Sequence, residues 1–144
     1  MGRRAYKPKS FESSGRYKTK SGRSKADTTA NIYESMLRSD AWKDLSSKQQ
    51  VLYLYCKAQY YGKTKPGADF PDIPELQGED FFYLNRDLVI SEYELYTEGN
   101  RAKFYKDMDC LTKHGFIQKV TSGKSSHQRN IYRFVDGWID WKPE

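Results

Sequence analysis

Cationic side chains recur along one stretch, residues 97–132 (TEGNRAKFYKDMDCLTKHGFIQKVTSGKSSHQRNIY), and their spacing suggests what they could do. Phe104, Met108 and Leu111 stand at i, i+4 and i+7, the stripe of an amphipathic helix. Arg101, Lys103, Lys106 and Lys113 fall mostly off that stripe. Cations ranged along one helix can meet phosphate, and two neighbours add base chemistry: an arginine such as Arg101 can grip guanine, and an asparagine such as Asn100 adenine. Lys124, His127 and Arg129 lie on or beside a Ser-Gly-Lys-Ser turn, where they can meet phosphate or a minor groove. Arg3 and Arg4 open a basic N-terminal arm of the kind that follows phosphates. The chemistry on offer is recognition of a polyanion.

Bond-making chemistry finds no such assembly. The chain holds two histidines, His114 and His127, with no His-x-His pair, no Ser-His-Asp order and no phosphate-binding glycine loop. His114 sits at a helix end, where an imidazolium is merely favourable. Asp69, Asp72, Glu75, Glu79 and Asp80 offer carboxylates for a divalent cation. Their spacing matches no EF-hand, and a solvated loop or protein-docking surface is the expected role. No catalytic residue, metal or cofactor is expected.

The elements that must position the cations can be read next. Thr97 or Asn100 can cap the helix, and His114-Gly115 can stop it. Phe116-Ile117 opens a strand and residues 131–135 make another, with the glycine loop between them. Upstream, residues 81–84 read as a strand, Asn85 as the cap of a short helix to Tyr93, and Glu94-Leu95-Tyr96 as a turn. Ser46-Ser47-Lys48-Gln49 fits a capping box. It should open a helix to Tyr61, stopped by Gly62, with Val51, Leu54, Tyr55, Ala58 and Tyr61 on one face, widened by Leu52 and Cys56. Ile32, Met36 and Leu37 suggest a short helix before the core anchors Trp42 and Leu45. Residues 63–80 hold three prolines and two glycines and read as an excursion. Trp138 and Trp141 should pack back on the domain, with burial, a dimer seam and a partner surface all open.

This order defines an α+β class: a winged helix-turn-helix, with a three-helix core and a small antiparallel β-hairpin wing, preceded by a basic disordered tail. The expected organisation is a tail over residues 1–29 and one domain over residues 30–144. The plain alternative is a helix and hairpin that merely pack together.

Charge supports that division. Residues 1–25 carry nine Lys/Arg and one Glu, a net +8. Residues 26–144 carry 16 Lys/Arg against 18 Asp/Glu, a net −2. Within them, residues 66–98 reach −8 (one Arg, nine acids), and residues 101–133 reach +6 (eight Lys/Arg, two Asp). Such asymmetry bears on partners. No apolar run is long enough for a membrane span and no secretory signal opens the chain. Cys56 and Cys110 read as reduced thiols, which points to the cytoplasm.

Two segments carry a family resemblance. SMLRSDAWKDLSSKQQVLYLY resembles the opening of the winged-helix domain of replication initiators and replisome organisers from plasmids, phages and conjugative elements of low-GC Gram-positive bacteria. NRAKFYKDMDCLTKHGFIQKV, with a polar wing and NIYRF, resembles its later part. The resemblance spans roughly residues 32–135 and departs at 63–80. It implies sequence-specific binding of double-stranded DNA in replication, conjugative transfer or transcriptional control of a mobile element, without a cofactor. Initiators usually carry further domains, so an accessory or regulatory role is expected. A protein-interaction adaptor, docking a relaxase, replication or transfer protein, is the second reading. Homodimerisation stays open, and RNA is a variant partner for which no usual signature appears.

Overall fold

The Ser46–Gln49 capping box forms. The Gln49 N–H donates to Ser46 Oγ at 3.2 Å and the Ser46 N–H to Gln49 Oε1 at 2.9 Å. These bonds satisfy free amides that would otherwise weaken the start of α3 (Ser47–Ala58). The structure is a computed structural model that describes residues 16–26, 30–59, 66–78, 80–84, 87–120 and 131–144. The readings of Arg3, Arg4, Lys124, His127 and Arg129, of the Asn85 cap and of the Gly62 stop lie outside the described residues.

The buried face of α3 is only part of the expected one. Leu52 and Cys56 are buried as expected, together with Tyr53, while Val51 and Leu54 are each 39% exposed. Both sets have helical spacing, so periodicity alone could not choose between them. The choice follows from what Tyr53 reaches: its ring lies 5.8 Å from Trp42, 5.2 Å from Phe116 and 6.2 Å from Phe134, centroid to centroid. Offset and edge-on aromatic contacts of this kind add to plain area burial.

Before α3 come two short helices, α1 (Glu34–Leu37) and α2 (Asp40–Asp44). Ser39 caps α2 by accepting from the Trp42 N–H at 3.1 Å. After α3, the segment expected to be a solvated excursion is folded. It contains α4 (Pro66–Asp69) and a 3-10 turn, Pro74–Leu76. The Gln77 amide donates to the carbonyls of Gly67, Phe70 and Ile73 at 3.2, 2.8 and 3.0 Å, which closes the lobe on itself. Leu76 is buried there with Phe81, Tyr83 and Ile131, and Phe70, Ile73 and Val120 pack against them.

The sheet has three antiparallel strands in the order β3 (Phe81–Tyr83), β5 (Ile131–Phe134), β4 (Ile117–Val120). Phe82 pairs with Tyr132 and Lys119 with Tyr132, so these positions share one face. That face meets the main core through Phe82, Ile117, Tyr132 and Phe134. The lobe of residues 66–78 covers the other face, which is why all three residues of β3 are buried.

The expected short helix after β3 forms, as a one-turn π-helix, Leu88–Glu92, with Val89 buried and the Tyr93 N–H on the Leu88 carbonyl at 2.9 Å. The chain leaves it through Glu94 at φ 52°, a left-handed conformation uncommon outside glycine. A 3-10 turn, Glu98–Asn100, then leads into α5 (Arg101–Lys113). Neither Thr97 nor Asn100 makes a side-chain capping bond. The 3-10 turn supplies the entry in their place.

The glycine stop of α5 is as expected. Gly115 has φ +82°, its N–H donates to Thr112 O at 3.1 Å, and the Phe116 N–H donates to Leu111 O at 3.0 Å. This is the paired closure that a left-handed residue permits. The C-terminal segment packs back on the same point. Trp138 N–H donates to Gly115 O at 3.0 Å, and the Trp138 ring stacks parallel to Phe116 at 6.2 Å. Trp141 stacks on His114 at 4.5 Å.

Part of the segment expected to be a disordered tail is a hairpin. β1 (Arg16–Lys18) pairs antiparallel with β2 (Ser24–Ala26). Its turn closes through Gly22 N–H to Thr19 O at 2.9 Å and Thr19 N–H to Arg23 O at 2.8 Å. Gly22 has φ +85°, the conformation that lets a turn of this type end in a bulge.

Candidate nucleic-acid interface

The helix α5 has a core side and a solvent side. Phe104, Asp107, Met108 and Leu111 are buried; Arg101, Ala102, Tyr105, Lys106, Asp109 and Lys113 are exposed. At 3.6 residues per turn, the exposed six form one continuous arc opposite the core. Arg101, Lys106 and Lys113 therefore share a surface. Asn100, exposed and without a capping bond, stands at its leading end. Two acids punctuate the arc. Arg101 lies 3.8 Å from Glu98, and Lys113 lies 3.0 Å from Asp109. Exposed pairs of this kind are worth little and a phosphate can replace the carboxylate.

Lys103 has a different post. It sits on the flank of α5, and its ammonium donates to Asp107 Oδ1 at 2.9 Å. Asp107 is fully buried, and two more donors reach it: Gln49 Nε2 at 3.0 Å on Oδ1 and the Tyr96 hydroxyl at 2.6 Å on Oδ2. Burial pushes the carboxyl up, but the bonds from Tyr96, Lys103 and Gln49 outweigh it and hold Asp107 below the usual carboxylate range. Burial and the same bond push the Tyr96 phenol up. This node ties the start of α3, the turn before α5 and α5 itself. It sets how α5 is presented, and Lys103 belongs to it. Asp107 carried a signal in the sequence: it occupies i+3 inside the Phe104–Met108–Leu111 stripe, where an acid must find donors.

A second polar cluster closes the far end of α5. His114 is nearly buried; its Nε2 lies 2.7 Å from Asp44 Oδ2 and its Nδ1 2.7 Å from the Cys110 carbonyl oxygen. Both ring nitrogens thus stand within hydrogen-bond distance of oxygen atoms. The Cys110 sulfur is 3.5 Å from the same Nδ1, so thiol, imidazole and carboxylate stand in a row. The row is not poised for attack. Burial and the carboxylates of Asp107, Asp44 and Asp109 push the Cys110 thiol up, away from the thiolate a nucleophile needs. Cys56 and Cys110 are both free thiols.

Two cations on the sheet, Lys119 and Arg133, do not share a face. Arg133 pairs across the sheet with Gln118, whereas Lys119 pairs with Tyr132, one residue out of phase. Arg133 is bonded to Asp80 and lies over the Phe81 ring at 5.6 Å, on the lobe side. Among the described residues, no group of three or more His, Cys, Asp or Glu is placed to hold a metal ion. Asp69 instead accepts from the Tyr83 hydroxyl at 2.8 Å. No described helix is long and apolar enough to cross a membrane. No family model matches the chain, and no curated protein or solved structure matches it.

Proposed function

We propose that this chain is a non-enzymatic protein that binds double-stranded DNA with α5 in the major groove. The observation that carries the proposal is the single solvent-facing arc of Arg101, Lys106 and Lys113, backed by a packed core and led by Asn100. The element order supports a winged helix-turn-helix: α3, β3, the short π-helix Leu88–Glu92, α5, then two strands of which the second, β5, pairs with β3. In this reading Arg101 and Asn100 read base edges, Lys106 and Lys113 meet phosphate, and the β4–β5 loop with Lys124, His127 and Arg129 is the wing. The resemblance to initiators and replisome organisers supports a role in replication, transfer or transcriptional control of a mobile element, and the two free thiols support a cytoplasmic setting.

The test is an anisotropy titration of the full chain on duplex DNA across about 50–200 mM salt. Log affinity should fall with log salt, and Lys106→Ala should lower the slope by about 0.9. Arg101→Ala should weaken a selected site more than random duplex. A flat salt profile overturns the proposal; equal loss on both duplexes removes base reading by Arg101.

One observation favours the adaptor reading. Val51 and Leu54 stand exposed on α3, away from its buried side. A relaxase, replication or transfer protein bound there would be compatible with DNA on α5. If the chain forms a stable complex with such a protein and shifts no DNA, the adaptor reading replaces the first.

A further inference from the structure

We infer that the β1–β2 hairpin is a second DNA-binding element, a two-stranded ribbon that inserts into the major groove. The inference rests on the duplex-DNA reading above and assigns a separate site within it. Residues 16–26 carry Arg16, Lys18, Lys20, Arg23 and Lys25 and no acid, a net +5. Residues 26–144 sum to −2, so the hairpin adds a field to that of α5, where Glu98 and Asp109 stand beside two of the cations.

Shape adds to charge. Register puts Lys18 opposite Ser24 on one face of the ribbon and Lys25 on the other, opposite position 17. Lys20 lies in the turn between the strands. Cations on both faces and at the tip suit an element with phosphate walls on either side. A two-stranded ribbon is admitted by a major groove about 12 Å wide, whereas a minor groove is only about 6 Å wide. Arg16 stiffens the ribbon from within: its Nε donates to Ser24 Oγ at 2.8 Å and its Nη2 to Ser24 O at 3.1 Å. The turn depends on Gly22, whose φ of +85° a β-branched residue resists.

The experiment compares three full-length variants with the parent on one duplex by anisotropy. The first, Lys18→Ser/Lys20→Ser/Arg23→Ser/Lys25→Ser, removes charge. The second, Gly22→Val, keeps every charge and breaks the turn. The third, Arg101→Ala/Lys106→Ala, leaves the ribbon alone. The charge variant should bind at least tenfold more weakly, with a salt slope shallower by about 0.9 for each phosphate it no longer neutralises. Gly22→Val should lose affinity several-fold and lose protection of guanine N7 from methylation at the flank of the footprint. If Gly22→Val binds and protects like the parent, the ribbon is overturned and a formless cationic tail takes its place. If the charge variant also binds like the parent, the ribbon is overturned and the α5 reading stands. If only the third variant binds normally, the α5 reading falls and the ribbon stands. Binding of the parent to phosphatidylserine vesicles in preference to duplex DNA overturns both.

Discussion

Asp107 is the residue on which the presentation of α5 turns. Three donors from three parts of the chain converge on it, and none of them can be lost without leaving a buried group short of a partner. Asp107→Ala should therefore lower stability by about 2–3 kcal/mol, read as the shift of a urea midpoint at constant slope. The folded protein holds this carboxyl below its unfolded range of about 4, so the unfolded chain takes up the proton first. Its contribution should be fully present above about pH 5 and fall away as pH drops through the folded value. Asp107→Asn should flatten that acid limb while keeping most of the fold. Sequence spacing correctly put Arg101, Lys106 and Lys113 together off the apolar stripe. It missed Asp107 and the bond that ties Lys103 to it, because a stripe counts apolar residues and says nothing about where a hydrogen-bonded acid goes. His114 was legible only as a helix-end cation; Asp44, 70 positions away, is a tertiary partner that no local pattern contains.

At the scale of elements, the closure of α5 is the most constrained point. A Cβ on Gly115 would stand 2.4 Å from the Gly137 carbonyl carbon and 2.5 Å from Trp138 N. Gly115→Ala must strain a left-handed residue and push the C-terminal segment off the helix. It should cost about 2 kcal/mol or more in thermal or urea unfolding. Gly99→Ala, with nothing within 4 Å of the added carbon, should stay within about 0.5 kcal/mol. The capping box and the glycine stop were legible because each is a local arrangement of named residue types. The phase of α3 was not, because Val51 and Leu54 repeat at the same period as Leu52, Tyr53 and Cys56. The short helix at residues 88–92 was legible in place but not in its π form, because its residues suit an ordinary helix.

Across the whole molecule, the sheet is held between two apolar clusters, and the second was hidden in a proline-rich stretch. Prolines rule out a long helix but not burial, and Phe70, Ile73 and Leu76, three apart, are enough to cover the outer face of β3 and β5. Leu76→Ala should cost about 3 kcal/mol, and the loss should appear in the one cooperative transition of the domain. An early separate transition would mean the lobe unfolds on its own. From α3 to β5, outside the lobe of residues 66–78, the order of helices and strands was readable, since the capping box, the Gly115 stop and changes of period marked it. The hairpin of residues 16–26 was not, because its composition is that of a solvated arm and only the Ser21-Gly22 pair marks a turn.

All three tryptophans of the chain gather at the closure of α5. Trp42 and Trp138 flank Phe116 at 5.9 and 6.2 Å, and Trp141 covers His114 at 4.5 Å. The intrinsic fluorescence of the protein is consequently a spectroscopic gauge of this single locality. A ligand that seats on the leading turns of α5 without disturbing its end should leave the emission maximum in place. A red shift would record the terminal indoles swinging out into water.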